Sequence, residues 1–305
     1  MPRPLFFLAS LIALAGISAC QPAAPPAPVS ALVDDIGVPL PAAQPLRIVP
    51  LAPNITELLY ALGAGDRVVG VSVADDYPPA IEGLPRFSSL PMDFEALAAL
   101  RPDLLVAATQ VNNPRDAELF ASLGIPIAYF DFDEVADVFR VMRTLGAALG
   151  LQASADSAAA RLEADYGEIR RLTASADTRP SVVFLIGSDP LFAFGRGSYV
   201  HDMIDAAGGR SLTAEIDTPA PTLSEEFVLT AAPDVIAGTL REGASAELAR
   251  LYPSWRLTPA LRDGRIYRFA PSLFLRPGPR LVEGARQLAR QLHPDIFARL
   301  DGAGS

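Results

Sequence analysis

The chain contains little of the side-chain chemistry on which most catalytic and metal-binding proteins depend. It has one cysteine, two histidines and one tryptophan in 305 residues, and none of its 25 basic residues is a lysine. A single thiol cannot form an internal disulfide, so the fold must depend on its apolar core. Two histidines, His201 and His293, are too few for a zinc or manganese site assembled from several imidazoles and carboxylates. The sequence therefore predicts no resident metal and no cofactor.

Catalytic motifs are missing as well. There is no G-x-S-x-G, no H-E-x-x-H and no G-x-x-x-x-G-K-[ST] segment. Ser198, His201 and Asp202 lie close together in sequence, but three residues of one helix do not give the geometry of a catalytic triad. We therefore expect a protein that is not an enzyme, with a lipid-anchored hydrolase as the remote alternative.

The charge balance argues against nucleic acid as a partner. The chain has 35 acidic and 25 basic residues and a formal charge of −10, the opposite of the basic surface that binds phosphates. Most of the carboxylates are expected to be ordinary solvated surface groups.

The N-terminus has the pattern of an export signal. Arg3 is followed by an apolar run from Leu5 to Ile17, which is too short to span a membrane. The stretch Ile17-Ser18-Ala19-Cys20 resembles a bacterial lipobox, so residues 1–19 are predicted to be a lipoprotein signal peptide and Cys20 the lipidated first residue. Residues 20–46 are rich in Pro and Ala and are predicted to form a tether. We expect the protein outside the cytoplasm, attached to a bacterial membrane by the lipid.

From Arg47 onward, single helices alternate with short apolar strands, a pattern typical of parallel sheets covered by helices. The alternation covers 47–132 and returns over 179–298, while 133–178 has no strand candidate. Within that middle stretch, more than 20 helix-forming residues predict a helix of roughly 30 Å. The predicted fold is α/β, with two Rossmann-like lobes joined by a long linking helix and a short tail at 299–305.

One element occurs twice. "MDFEALAALRPDLLVA" (92–107) and "LSEEFVLTAAPDVIAG" (223–238) each carry a Glu, a Pro-Asp seven residues later and an apolar run. Asp93 and Ser224 are good N-cap residues, which puts Glu95 and Glu226 in the first helical turn, where the helix dipole favours a carboxylate. The repeat indicates that the chain contains two versions of one lobe.

Several further segments make the pattern specific: "LAPNITELLYALGAGDRVVGVS", "DYPP", "LGIPI", "DPLFAFGRGSYVHDMIDAAGG" and "RPGPRLVEGARQLA". Together with the repeat, they resemble the class III substrate-binding proteins of bacterial ABC importers, which include receptors for vitamin B12, haem and ferric siderophores. The resemblance covers the chain from Arg47 to Asp295. It implies a monomeric receptor that binds a metal chelate between two lobes and delivers it to a permease with its ATPase.

The resemblance also implies roles for individual residues. In the family, a glutamate at this place in each lobe docks on arginines of the two-fold symmetric permease, and Glu95 and Glu226 match those positions; Glu225 could share the role. Candidate cleft residues lie on loops after predicted strands and in the family motifs: Asn54, Asp76, Tyr77, Leu90, Gln110, Asn112, Phe194, Tyr199, Ala220, Phe274 and Arg276.

The match to the vitamin B12 receptors is partial. Aromatic residues that pack on the corrin in those receptors are replaced here by Ala74, Leu90 and Ala220. Phe194, Phe274 and Tyr199 are the candidate walls that remain, and each Phe could instead be a core residue. We expect cobalamin or a related corrinoid as the ligand, with haem or a ferric siderophore as the alternative.

Other residues of the expected cleft do not decide which ligand binds. His201 could be an axial ligand to a chelated metal or an ordinary helix-end group. Arg196, Arg276 and Arg280 lie on loops that face the cleft in this family, and Arg280 is interpreted as a residue that caps or braces the last helix. Trp255 is interpreted as a packing residue.

Overall fold

The computed structural model describes residues 32–41 and 44–303. The predicted signal peptide, Cys20 and much of the predicted tether therefore lie outside the described residues. In the described part of the chain, no helix is both long enough and apolar enough to cross a membrane.

The first lobe is built around three parallel strands. In chain order its elements are β1 Ile48–Pro50, α1 Pro53–Ala61, β2 Val71–Ser72, β3 Arg86–Phe87, α2 Phe94–Ala99, β4 Leu104–Ala108, α3 Ala117–Ser122 and β5 Ile127–Phe130. Strand β4 lies between β1 and β5, and β2 pairs with β3 in a separate parallel ladder. Every residue of β1, β4 and β5 is buried, as expected for parallel strands covered on both faces.

Two helices follow the first lobe. Helix α4 spans Val135–Ala148 and helix α5 spans Gln152–Thr173, a length of 22 residues, or roughly 33 Å at 1.5 Å per residue. The two helices pack closely, since a Cβ atom added at Gly146 would lie 2.1 Å from the Cβ of Ala155. The predicted long linking helix is thus confirmed.

The second lobe repeats the plan with four parallel strands. Its elements are β6 Ser181–Leu185, α6 Tyr199–Ala206, β7 Arg210–Ser211, α7 Glu225–Ala231, β8 Val235–Gly238, α8 Ala244–Leu251, α9 Pro259–Arg262, β9 Ile266–Arg268, α10 Pro271–Phe274, α11 Leu281–Leu292 and α12 Pro294–Ala303. The strand order is β7-β6-β8-β9. The predicted α/β class with parallel sheets in two lobes is confirmed.

One apolar core continues through both lobes and the linking helices. It includes Leu58 and Phe130 from the first lobe, Met142 from α4, and Phe184 and Leu288 from the second lobe. Because such interiors are close-packed, a shared core restricts how far the lobes can move apart.

The segment 32–41, which the sequence places in the tether, contacts the first lobe. Asp34 is buried and accepts a hydrogen bond from the backbone N–H of Tyr129 at 2.9 Å. Asp35 pairs with Arg140 at 2.7 Å and accepts from the N–H of Asp131. These contacts cover β5, the edge strand of the sheet, and an uncovered edge would be free to pair with another chain.

Element ends differ from the sequence predictions at several places. The segment 67–72, whose apolar residues are typical of a strand, forms one only at Val71–Ser72, and the two-residue strands β3 and β7 are not recognisable in the sequence. The segment 246–255 has the composition of one helix, but α8 ends at Leu251, because Pro253 follows and begins a short 3-10 turn, Pro253–Leu257.

Candidate functional site

A cavity of about 530 Å³ lies between the two lobes. The first lobe lines it with the start of α1 and with the residues that follow β4 and β5, and the second lobe with the residues after β6, the start of α6 and the loop before α11. Its lining residues are Pro53, Asn54, Ala108, Gln110, Val111, Phe132, Asp133, Ile186, Phe194, Arg196, Gly197, Ser198, Tyr199, Pro219, Ala220, Leu275, Arg276 and Pro277. Ligand sites in open α/β sheets are expected at these strand ends, and the volume is that of an ordinary small-molecule site.

Aromatic residues form the apolar wall on the second lobe. The ring of Phe194 lies 6.2 Å from that of Tyr199 and 6.1 Å from that of Phe184, centroid to centroid. The hydroxyl of Tyr199 donates to the carbonyl of Phe274 at 2.6 Å, and burial raises the pKa of Tyr199. Tyr199 therefore presents a fixed, neutral ring to the cavity.

Gly195 allows the loop of Pro219 and Ala220 to approach this wall. Its N–H donates to the carbonyl of Pro219 at 2.9 Å. A Cβ atom at this position would lie 1.9 Å from the carbonyl oxygen of Thr218, so no larger residue fits unless the loop moves.

Three charged side chains line the cavity: Asp133 from the first lobe, and Arg196 and Arg276 from the second. Gln110 Nε2 donates to Asp133 Oδ1 at 3.3 Å. Burial nevertheless raises the pKa of Asp133, and the nearby carboxylates of Asp131 and Asp137 act in the same direction. Asn54 Nδ2 donates across the cleft to the carbonyl of Pro277 at 3.3 Å.

Four charged residues beside the cavity, Glu57 and Asp76 of the first lobe and Arg276 and Arg280 of the second, form what we call the ion-pair junction. Arg280 donates two hydrogen bonds to Glu57, at 2.9 and 2.6 Å. Arg276 pairs with Asp76 and lies 3.7 Å from Glu57. The side chain of Glu57 is only 2% exposed, so the junction links the lobes through a buried carboxylate. Arg280, expected to brace the last helix, instead bridges the lobes.

Asp75, next to the ion-pair junction, is a buried carboxylate with few hydrogen-bonding groups around it. Neither of its side-chain oxygens makes a hydrogen bond of good geometry among the described residues, and the hydroxyl of Thr56, which lies beside it, makes none either. Burial raises the pKa of Asp75 to about 6, although the hydroxyl of Thr56, the backbone at Ser72 and the charges of Arg276 and Arg86 oppose the rise. Ionisation of Asp75 in the folded state is therefore unfavourable.

The cavity brings together six of the eleven residues proposed for the cleft: Asn54, Gln110, Phe194, Tyr199, Ala220 and Arg276. The other five lie elsewhere. Asp76 belongs to the ion-pair junction, the ring of Tyr77 lies 4.2 Å beneath the guanidinium of Arg280, and Leu90 is 70% exposed.

Asn112 and Phe274 are buried away from the cavity. The side chain of Asn112 accepts from the N–H of Ala108 and donates to the carbonyl of Leu51. Phe274 is fully buried and stacks on Phe184 at 4.6 Å. Both residues stabilise the cleft loops from the protein interior, because each contacts an element that ends at the cavity.

His201 does not face the cavity. Its Nε2 lies 2.7 Å from the carbonyl of Gly195, so this nitrogen donates, and Nδ1 accepts from the hydroxyl of Ser211 at 2.9 Å. Burial lowers the pKa of His201. Both ring nitrogens are thus occupied by partners within the second lobe.

The two repeated glutamates lie at equivalent places in the lobes. Asp93 and Ser224 cap α2 and α7 through their side chains, as predicted, and Glu95 and Glu226 are exposed in the first turn of each helix. Neither glutamate makes a hydrogen bond or ion pair within the described part of the chain.

Glu225 differs from its neighbour. Its side chain accepts from the hydroxyl of Ser254, and its carbonyl accepts from the indole of Trp255 at 3.1 Å. Trp255 itself is fully buried and stacks on Tyr252, as a packing residue does.

Several lining residues are not among those predicted from the sequence. Phe132 and Asp133 follow β5, and Ile186 follows β6. Each could have been found from its place directly after a strand, since parallel strands deliver their following residues to the ligand edge. Leu275 and Pro277 carry no such signal, because they enter the site through a loop.

Two α/β lobes with parallel sheets, a long helix between them and a cleft at the strand ends define a two-lobed solute-binding protein. A family model described as "Periplasmic binding protein" matches residues 48–273, and the chain belongs to this family. Its members are solute-binding components of transporters and not enzymes.

Similarity to individual proteins shows more narrowly which kind of periplasmic binding protein the chain is. The chain is 29% identical over 260 residues to an uncharacterized ABC transporter substrate-binding lipoprotein of Bacillus subtilis, covering 83% of this chain and 82% of that one. It is 31% identical over 255 residues to a vitamin B12-binding protein of Pectobacterium atrosepticum, covering 82% and 89%. The structure also resembles a periplasmic heme-binding protein from Roseiflexus sp. RS-1, with a TM-score of 0.73, 29% identity, and coverage of 82% and 98%. The protein is therefore an ABC transporter substrate-binding protein of the class that includes B12 and haem receptors.

Proposed function

We propose that the protein captures cobalamin or a related corrinoid in the inter-lobe cleft and delivers it to an ABC permease. The observation that carries the choice of ligand is the set of donor atoms in the cavity. The described lining contains no His, Cys or Met. Tyr199, which could otherwise bind iron as a phenolate, is held neutral by burial and by its bond to Phe274.

This donor set suits a chelate whose metal is already fully coordinated. Haem iron in proteins takes an axial ligand from His, Cys, Met or Tyr, and the cavity offers none of these in a usable form. A corrinoid brings its own ligands to cobalt and needs only apolar packing and hydrogen bonds. The rings of Phe194 and Tyr199 supply the packing, and the amide of Gln110 supplies hydrogen bonds.

The B12-binding relative from Pectobacterium supports the same choice, since it is 31% identical over most of both chains. A corrinoid is larger than a cavity of about 530 Å³, so part of it would contact the cleft rim. Asp76, Tyr77 and Leu90, which are exposed outside the cavity, are our candidates for that rim.

A ferric siderophore is the second candidate. A hexadentate siderophore also completes the coordination of its metal, and it is frequently anionic. Arg196 and Arg276 in the cavity favour such a ligand, and haem is the less favoured alternative because of the missing axial donor.

We further propose that Glu95 and Glu226 dock the receptor on the permease. Two exposed carboxylates without partners, one at the same place in each lobe, suit a two-fold symmetric partner with basic residues. Glu225 is engaged by Ser254, so Glu226 is the docking residue of the second lobe.

Lipidation of Cys20 is part of the same proposal. The lipobox-like segment lies outside the described residues, and the proposal is supported by the lipoprotein relative from Bacillus subtilis. The predicted domain boundaries, at which the first lobe begins at residue 47, the helical linker at 133 and the second lobe at 179, also remain predictions.

The ligand can be tested with coloured chelates. Purified protein is mixed separately with cyanocobalamin, haemin and a ferric siderophore, desalted, and examined by visible absorbance. We expect the cyanocobalamin spectrum to elute with the protein at a ratio of about one per chain. Retention of haemin or the siderophore alone would replace the corrinoid by that ligand, and retention of none of the three would contradict the chelate-receptor proposal.

A further inference from the structure

The second-lobe wall of the cavity carries two arginines, Arg196 and Arg276, whose closest carboxylate partners are largely exposed. Arg196 pairs with Glu215 and Asp217, each at 3.3 Å, and these carboxylates are 89% and 92% exposed. Pairs between exposed charges contribute little to stability, because water and salt screen them. Arg196 can therefore exchange these partners for a ligand at little cost.

Arg276 is in a comparable position although it is more buried. Its side chain is 19% exposed, and its close partner Asp76 is 64% exposed. The buried carboxylate of Glu57, 3.7 Å away, already accepts two hydrogen bonds from Arg280. Glu57 therefore stays paired if Arg276 turns to another anion.

The first-lobe wall has the opposite charge. Asp133 is the only charged residue that it contributes to the described lining. Its carboxylate repels an anion from the first lobe, so an anionic ligand group would be directed to the side of the two arginines.

We propose that Arg196 and Arg276 form an anion-binding subsite that recognises one phosphodiester or carboxylate group at the edge of the chelate, while the ring system packs on Phe194 and Tyr199. This inference rests on the proposed function and adds a substrate feature to it. A guanidinium suits the task because its N–H groups match two oxygens of such an anion at once, and charge-assisted bonds of this kind are among the strongest in proteins.

Corrinoid chemistry allows a direct test. Cobalamin carries a phosphodiester in its nucleotide loop, and cobinamide has the same corrin without that loop. Kd is measured for cyanocobalamin and dicyanocobinamide with the wild-type protein, Arg196→Gln and Arg276→Gln. The control is Arg262→Gln, which removes a surface arginine paired with its neighbour Asp263 and outside the cavity lining.

We expect the wild type and the control to bind cyanocobalamin about ten- to a hundredfold more tightly than dicyanocobinamide, in keeping with a charge-assisted bond. Each cavity variant should lose most of that preference by weakening cyanocobalamin binding alone. Arg196→Gln leaves the ion-pair junction intact, so it reports on the subsite even if Arg276→Gln folds poorly.

Two results separate this inference from the proposed function. Equal affinity of the wild type for both corrinoids, or a parallel loss of both in the variants, overturns the subsite and leaves the receptor function standing. Failure of both corrinoids to bind overturns the corrinoid proposal. The subsite is then tested by comparing the Kd of haemin, which has free carboxylates, with that of haemin dimethyl ester, which has none. A preference for haemin that depends on Arg196 and Arg276 supports a carboxylate as the bound anion, and the absence of this preference overturns the subsite as well.

Discussion

Glu57 joins the two lobes through a buried carboxylate that accepts two hydrogen bonds from Arg280. Replacing it with Gln removes the negative charge and one of the two oxygens that accept from Arg280, and leaves the nearby guanidinium groups of Arg280 and Arg276 without that charge. Breaking a buried pair from one side typically costs 3–5 kcal/mol. Because the arginines are partly exposed, we expect Glu57→Gln to lower the free energy of unfolding by about 2–4 kcal/mol in urea titrations.

The matched control is Glu163→Gln. Glu163 also pairs with an arginine through two bonds, at 2.7 Å each to Arg143, but its side chain is 42% exposed. The expected loss is below about 1 kcal/mol. Equal losses for the two variants would show that the junction does not join the lobes.

The raised pKa of Asp75 predicts that the stability of the protein depends on pH. Its pKa in the folded state, about 6, lies above the ordinary value near 4, so the folded protein binds this proton more tightly than the unfolded chain does. The free energy of unfolding should therefore fall as the pH rises from about 4 to about 6. The expected fall is up to about 3 kcal/mol, since a change of one in pKa corresponds to about 1.4 kcal/mol.

The variant Asp75→Asn keeps the neutral form at every pH. It should be more stable than the wild type at pH 8, and the difference should vanish near pH 4, as measured by urea unfolding of both proteins across that range. A difference that does not change with pH would mean that Asp75 ionises without cost.

At single residues, the sequence identified side chains that follow strands or belong to recognisable motifs. Gln110, Phe194 and Arg276 reach the cavity in this way. Phe274 does not, because a Phe in such a motif can also pack in the core, and here it stacks on the buried ring of Phe184. Glu57 was missed since its partner Arg280 lies 223 residues away, a separation that no local pattern reveals.

At the scale of elements, helix α5 contains a glycine that its packing does not require. A Cβ atom at Gly167 would meet nothing within 4 Å, and glycine within a helix costs roughly 0.5–1 kcal/mol relative to alanine. We expect Gly167→Ala to raise the free energy of unfolding by about that amount. Gly146→Ala in α4 should lower it, because the new methyl group would collide with Ala155; thermal and urea unfolding of both variants measures the two signs.

Long elements were predictable and short ones were not. The linking helix follows from more than 20 helix-forming residues, whereas β3 and β7 consist of two residues each and exist only through their partners. The contacts of 32–41 were not foreseen, because a segment rich in Pro and apolar residues has no period. Its attachment depends on Asp34 and Asp35 meeting the backbone of β5 and the residue after it.

For the whole molecule, the docking proposal predicts that binding and transport can be separated. Reversing Glu95 and Glu226 to Arg should leave ligand affinity unchanged, since neither residue lines the cavity. It should abolish uptake by proteoliposomes that contain the cognate permease and ATPase. Reversing Glu82 and Glu242, one exposed glutamate on each lobe, makes the same change in net charge and should preserve uptake. Equal uptake by the two double variants would contradict docking through Glu95 and Glu226.

Binding of a corrinoid in the cleft between the lobes can be measured by titrating cyanocobalamin into the wild type and two matched variants. Phe194 lines the cavity, whereas Phe192, two residues earlier, is 41% exposed and outside the lining. We predict one site per chain in the wild type, an unchanged Kd for Phe192→Ala, and a Kd at least about tenfold higher for folded Phe194→Ala, the loss expected for a central aromatic contact. Absence of binding to the wild type, or equal affinities of Phe194→Ala and Phe192→Ala, would contradict the account.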